Sequence, residues 1–364
     1  NMKIAILGTR GIPNNYGGFE QCAEHLSVGL VENGYDVTVY SVDSHNYQDK
    51  VFKGVNIIKK WCPEDKVGSA AHFIYDFICL KDALKKEFDV IFEFGYQSVA
   101  LSFGLLSFKE SVIATNMDGL EWKRAKWSPF VKLLTKWFER IAAEKSTILI
   151  SDNKGIQEYL KQKYNKESTM IPYGADKVIA KEVFLKEYNV KSQSFFSLIA
   201  RLEPENNIEM ILDGYLISES SLPFLVIGNT ATKYGNYLQK KYNDYRIIFL
   251  GSIFNKDHLD SLRKFSKVYF HGHSVGGTNP ALLEAMAASS FVFAHDNVFN
   301  RDVLENNAFF FKSSNEVQKL LNRFEEIEKS KDEKIANNSA KIESKYSHHH
   351  ITNQYIKLIE QITS

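Results

Sequence analysis

At 364 residues, with 44% hydrophobic and 24% charged positions, the chain has ordinary globular composition and the length of two domains, each with its own core. The formal net charge of +1 leaves no global field for nucleic acid. No apolar run reaches the roughly 18 residues of a membrane span, and Cys22, Cys62 and Cys79 are spaced for neither a disulfide framework nor a zinc site. Met2–Gly8 reads as a strand, because its apolar run is too short for a signal peptide and no small-residue cleavage site follows. A reducing cytoplasm is the expected compartment.

In chain order, β-branched runs predict strands over Lys3–Gly8, Asp36–Val42, Val55–Lys60, Asp89–Phe94, Ser111–Thr115 and Thr147–Ser151. Between the first two, Phe19, Cys22, Ala23, Leu26, Leu30 and Val31 keep to one face of a helix that Gly34 stops. Ala70–Lys86 repeats that pattern. Pro and Gly in Ile171-Pro172-Tyr173-Gly174 mark a seam. A second series of strands follows over Phe195–Ala200, Pro223–Ile227, Arg246–Leu250, Lys267–Phe270 and Ser290–Ala294, with helices over Glu205–Ile217 and Pro280–Ala288, and the tail from Asn315 is mostly helical. This βα rhythm predicts an α/β protein of two doubly wound, Rossmann-like domains in tandem, with ligands at the carboxyl ends of the strands.

Two Gly-rich stretches stand where such ligands bind. The first strand runs into GTRGIPNNYGGFE (Gly8 to Glu20), whose backbone N–H groups and following helix suit an anion. It fits a dinucleotide fingerprint poorly: Asn14 holds the third glycine position, and no acidic residue follows where a ribose needs one. The competing reading is that these glycines merely let the strand turn. The second stretch, HGHSVGGTNPALLEAMA (His271 to Ala287), ends a strand, places Thr278 or Asn279 as the cap of a helix opened by Pro280, and sets Glu284 just over one turn in. Glu284 either complements the helix dipole or, in its apolar setting, meets a hydroxyl-bearing ligand.

This second stretch resembles the nucleotide-sugar site of glycosyltransferase family 4, retaining enzymes of the GT-B fold. The resemblance implies two Rossmann-like domains facing a central crevice. Residues 1–172 would bind acceptor, residues 173–346 the donor, and a helix over about 347–364 would pack back on the first domain. It implies that Glu284 holds the donor ribose and Arg201 the pyrophosphate. Two positions depart from the pattern: Gly276 replaces the first of the family's paired glutamates, and Asn206 stands where a phosphate-gripping Lys belongs. Taken jointly, GTRGIPNNYGGFE, TNMDGLEWKR, ARLEPENN and HGHSVGGTNP resemble bacterial rhamnosyltransferases of capsule and O-antigen assembly, which implies dTDP-rhamnose as donor.

Asp118 and Glu121 follow the strand ending at Thr115, where an acid would orient the acceptor hydroxyl or the donor sugar; Asp118-Gly119 is also a common turn pair. Asp118, Arg201 and Glu284 are the candidate catalytic residues. Gly17, Gly18, Glu20, Glu121, Asn206, Gly251, Gly276, Gly277, Thr278 and Asn279 are the candidate substrate-binding ones. No Asp-x-Asp triplet occurs, so no metal and no cofactor are expected, the leaving phosphate being held by Arg201 and helix N-termini. His348-His349-His350 lacks a completing ligand nearby and reads as a solvated helix start.

Residues 122–145 hold seven Lys/Arg against two Glu and three of the four tryptophans, Trp122, Trp127 and Trp137. Phe130, Leu133, Leu134, Trp137, Phe138 and Ile141 recur at helical spacing among Lys132, Lys136 and Arg140. That is the composition of an interfacial helix on anionic lipid, the alternative being a helix packed inward. The expected protein is a cytoplasmic, peripheral membrane glycosyltransferase acting on a nucleotide-sugar donor and a lipid-linked saccharide. A nucleotide-sugar epimerase of the same fold, or an idle sugar-nucleotide binding subunit, are the rivals.

Overall fold

The computed structural model describes residues 2–15, 17–108, 111–117, 119–124 and 127–363. Two compact units emerge: one of residues 1–122, 127–173 and 348–364, the other of residues 123–126 and 174–347.

The first unit is built on β1 (Lys3–Leu7), β2 (Asp36–Val42), β3 (Val51–Phe52), β4 (Val55–Lys60), β5 (Val90–Phe94), β6 (Val112–Asn116), β7 (Ile148–Ser151) and β8 (Thr169–Met170). They lie in the order β3-β4-β2-β1-β5-β6-β7-β8. All neighbours are parallel except β3 with β4. The central strands are continuous apolar runs because helices cover both faces. Ile4, Ala5 and Ile6 of β1 and Val90 and Ile91 of β5 are fully buried. The helix Gly18–Glu32 turns Cys22, Ala23, Leu26 and Leu30 to the core, as its periodicity predicts, and stops at Asn33-Gly34.

The helix His348–Thr363 packs on Gly18–Glu32. Gly29 permits this contact, since a Cβ there would stand 2.7 Å from Thr352 Oγ1. Tyr355 seals it, its buried ring meeting Phe92 edge-on at 5.2 Å. The histidine tract starts this helix but is not simply solvated: His348 stacks on His25 with ring centroids 3.5 Å apart.

The second unit carries β9 (Phe196–Ile199), β10 (Phe224–Ile227), β11 (Ile247–Gly251), β12 (Val268–His271), β13 (Val292–His295) and β14 (Phe309–Phe311) in the order β11-β10-β9-β12-β13-β14, all parallel. Phe196, Phe224, Phe270 and Phe293 interlock on one face of this sheet. The helix expected from Glu205 begins later, at Ile208, after a 3-10 turn over Pro204–Asn206. Asn207, left-handed at φ +51°, separates the two.

Among the described residues, no helix is long and apolar enough to cross a membrane.

Candidate active site

In the second unit, the carboxyl ends of the adjacent strands β9, β12 and β13 carry most of the residues singled out from the sequence. Beyond β9, Arg201 is exposed and Asn206 is buried. Asn206 donates its side-chain amide to the Arg201 carbonyl at 2.7 Å, so it shapes the loop that presents the guanidinium. This loop is stitched to the segment after β12. Ser274 donates both its backbone N–H and its hydroxyl to the Glu205 carbonyl, at 3.1 and 2.7 Å, and Asn207 donates to the Gly272 carbonyl at 2.7 Å. Gly272 is required for that approach, because a Cβ would lie 2.0 Å from the Asn206 carbonyl oxygen.

After Gly272 the chain passes through Gly276 at φ +112°. This is a backbone region that L residues rarely adopt, so a side chain at this position would strain the loop as it stands. Gly277, Thr278 and Asn279 lead into the helix Pro280–Ala287, with Thr278 buried. Asn279 is the cap, accepting from the Ala281 N–H at 2.9 Å, which settles the choice between Thr278 and Asn279. Glu284, in the second turn, meets a partner that sequence reasoning missed. Arg263 Nη2 donates to its Oε2 at 2.5 Å. Gly251 ends β11, the edge strand, two strands from β9, and is not gathered with the others.

Two histidines of the HGH triplet also belong here. The rings of His271 and His273 stack at 4.4 Å. Burial, reinforced by Arg201, holds His273 neutral with its pKa pushed down to about 3. Burial, then His273, holds His271 well below the usual imidazole range. Both ring nitrogens of His271 are buried without a hydrogen-bond partner among the described residues. Beyond β13, Asn297 and Asn300 each donate to the His273 and His295 carbonyls, tying β12 to β13. The clue was in the sequence: three histidines and two asparagines at the ends of adjacent apolar strands.

The Gly-rich loop of the first unit is largely occupied with its own packing. A Cβ on Gly8 would stand 2.4 Å from the Phe94 carbonyl, and one on Gly11 2.1 Å from Ser41 Oγ. Gly17 caps the following helix, which Gly18 opens. Glu20 Oε1 accepts from the Arg10 N–H at 3.0 Å, and Glu24 Oε2 from the Asn14 N–H at 2.7 Å, so Glu20 braces the loop. The Arg10 guanidinium bonds Glu64 and lies 3.3 Å from His72. Glu121 lies in a short 3-10 turn, its N–H bonded to the Gly119 carbonyl at 2.7 Å. Asp118 lies outside the described residues. Among the described residues, no group of three or more His, Cys, Asp or Glu side chains is placed to hold a metal ion.

The helix Pro129–Lys145 has two faces. Thr135, Phe138, Glu139, Ala142 and Ala143 point inward, with Glu139 accepting from the hydroxyls of Tyr96, Tyr159 and Tyr164. Phe130, Leu133 and Trp137 form an outward stripe, 74%, 68% and 51% exposed. Lys136 lies over the Trp122 ring at 4.1 Å.

Comparison with known proteins places both halves in context. Residues 1–176 match a domain of unknown function, DUF1972, and residues 180–342 match glycosyl transferases group 1. A search of curated proteins finds no match. Among solved structures, sucrose-phosphate synthase from Thermosynechococcus elongatus superposes with a TM-score of 0.79 at 14% identity, over 100% of this chain and 99% of that one. A glycosyltransferase from Rickettsia africae gives 0.75 at 11%, over 100% and 99%. Anabaena HepE in complex with UDP and glucose gives 0.74 at 15%, over 99% and 100%.

Proposed function

We propose that this chain, which carries a group 1 glycosyltransferase domain on the two-sheet α/β fold of the GT-B enzymes, is a retaining glycosyltransferase that moves a sugar from a nucleoside-diphosphate donor to a lipid-linked saccharide. One observation carries the reading. At the carboxyl ends of two adjacent strands, a group 1 domain gathers an exposed arginine, a capped helix start and a carboxylate already gripped on one oxygen. These are the groups that a diphosphate and a ribose need.

In the transfer, the acceptor hydroxyl oxygen bonds the anomeric carbon as the bond from that carbon to the diphosphate oxygen breaks. The electron pair leaves with the nucleoside diphosphate, and the hydroxyl proton passes to the departing phosphate oxygen on the same face. No protein nucleophile is needed. Arg201 and the Gly276–Asn279 segment stabilise the charge that develops on the leaving phosphate, so the reaction runs without a metal ion. Neutral His273 beside Arg201 adds no competing positive charge. Glu284 anchors the ribose.

By resemblance of the four sequence motifs, the donor is dTDP-rhamnose and the product a cell-surface polysaccharide precursor. The acceptor is met at the inner face of the membrane. The outward stripe Phe130, Leu133 and Trp137, flanked by Lys132, Lys136 and Arg140, is the feature that would seat the first unit on anionic lipid.

A thermal-stabilisation screen of nucleotide sugars and nucleoside diphosphates tests the reading, since a ligand bound to the native state raises the melting temperature. dTDP-rhamnose and dTDP should give the largest upward shifts. Shifts from none of the nucleoside diphosphates would remove the donor site.

A further inference from the structure

We propose that Arg263 is the positioning residue for Glu284, fixing one carboxylate oxygen so that the other faces the donor. The inference rests on the reading of Glu284 as the ribose ligand.

Arg263 and Glu284 are 21 positions apart, on the helices Lys256–Phe265 and Pro280–Ala287. The Arg263 side chain is 3% exposed, yet its guanidinium is engaged at two corners. Nη2 donates to Glu284 Oε2 at 2.5 Å, and Nη1 donates to Asp260 Oδ1 at 3.2 Å. Asp260 in turn accepts from Lys256 Nζ at 2.6 Å through Oδ2. Lys256, Asp260 and Arg263 fall on one face of their helix, so a charge-alternating chain runs from the exposed Lys256 to Glu284.

Such a chain is costly to bury and stabilises little net, so its presence calls for a reason beyond the fold. A dipole-complementing glutamate at a helix start needs no buried arginine. A carboxylate that must meet a ligand in one orientation does. The Arg263 fork holds Oε2, whereas Oε1 makes no hydrogen bond to any described residue, and the Glu284 side chain remains 22% exposed. The carboxylate is therefore preorganised: its rotamer is fixed before the ligand arrives, and binding costs less ordering. Asp260 supplies the counter-charge that holds the Arg263 guanidinium in place against Glu284.

The test is a double-mutant cycle on the full chain, with dTDP and UDP as probes in calorimetry. Glu284→Gln should weaken diphosphate binding about tenfold, and Arg263→Gln by a similar factor, because hydrogen bonds to charged groups are about twice as strong as neutral ones. The double variant should bind no more weakly than Glu284→Gln, since Arg263 acts only through that carboxylate. Arg263→Lys, which keeps the charge and loses the fork, should fall between Arg263→Gln and the parent. Should Arg263→Gln fail to fold, Asp260→Asn provides the second arm. It should weaken binding several-fold in the parent and not at all in the Glu284→Gln background. A double variant about a hundredfold weaker, the product of the two singles, overturns the proposal, as does Arg263→Gln binding like the parent. Failure of the parent to bind either diphosphate is a separate result. It overturns the function itself and the positioning role with it.

Discussion

Asn206 donates its side-chain amide to the main-chain carbonyl of Arg201, five residues earlier, at 2.7 Å. Where the family resemblance leads one to expect a lysine for the donor phosphates, this chain has a buried strut. It holds the β9 loop in shape, and under the proposed function the cationic role falls to Arg201. Asn206→Ala should lower stability by about 1 kcal/mol, the usual cost of a lost internal hydrogen bond, and should weaken diphosphate binding as the loop loosens. Asn206→Lys should not tighten binding. Its ammonium would be placed in a 4% exposed site beside Gly272, and desolvation of a charge there is unfavourable. Thermal unfolding with calorimetry on both variants checks this, and tighter diphosphate binding by Asn206→Lys would refute it.

Gly276 behaves similarly. At φ +112° an L side chain costs roughly 1–2 kcal/mol, so Gly276→Glu should lower the melting temperature and bring no gain in turnover. Open space surrounds the position where its Cβ would stand, so the penalty comes from the backbone and not from a clash. A Gly276→Glu protein as stable as the parent and more active would show that the loop accommodates a side chain there freely.

A buried carboxyl pair in the first unit predicts a pH dependence. Burial pushes Asp76 up to about 7, against a hydrogen bond from Ser98. Burial and then Asp76 hold Glu93 well above the carboxylate range. A raised carboxyl pKa means that the folded state binds more protons than the unfolded one between about pH 4 and 7. Stability from Asp76 is therefore present at acid pH, falls as pH rises through that window, and levels off above pH 7. Within the window the loss approaches about 1.4 kcal/mol for each step of one in pH. Asp76→Asn should remove this slope, so its advantage in melting temperature over the parent should grow from pH 4 to pH 8. Parallel curves for the two proteins would dispose of the argument.

The outward stripe of the helix Pro129–Lys145 makes a prediction that separates the two readings of this segment. Leu133→Glu with Trp137→Glu should abolish flotation with anionic liposomes. Because Leu133 and Trp137 are 68% and 51% exposed, it should change stability by no more than about 0.5 kcal/mol. Binding by the parent should fall steeply with salt, since each basic residue near the surface contributes about 1 kcal/mol and the attraction fades within a Debye length. Undiminished flotation of the double variant would exclude this face as the anchor.

Much of the fold was legible because parallel strands buried on both faces leave continuous apolar runs. Each of the eleven strands expected from the sequence appears within two residues of its expected bounds at either end. β3, β8 and β14 escaped because two or three residues give no period to read. The candidate site was legible in its local geometry where one segment carries it, as with the Asn279 cap and the place of Glu284 on the helix after β12. It was not legible where distant segments meet. The Arg263–Glu284 pair joins two helices, and its one trace in the sequence is Asp260 and Arg263 lying among the apolar positions of Lys256–Phe265. The Gly-rich opening loop was ambiguous in the sequence for a related reason. Glycines that satisfy an anion and glycines that admit Phe94 and Ser41 look alike until the packing is seen.

The most direct measurement of the central claim is transfer itself: dTDP-rhamnose incubated with a lipid-linked saccharide, following both dTDP release and the rhamnosylated acceptor. The account predicts equal amounts of the two products, retention of anomeric configuration, and turnover that persists in excess EDTA. It also predicts that Arg201→Ala raises the barrier by about 3 kcal/mol, as loss of a preorganised donor to a developing anion does. Conversion of the nucleotide sugar without acceptor would identify an epimerase, and binding of the donor without any turnover would identify a sugar-nucleotide binding subunit. Either result contradicts the account.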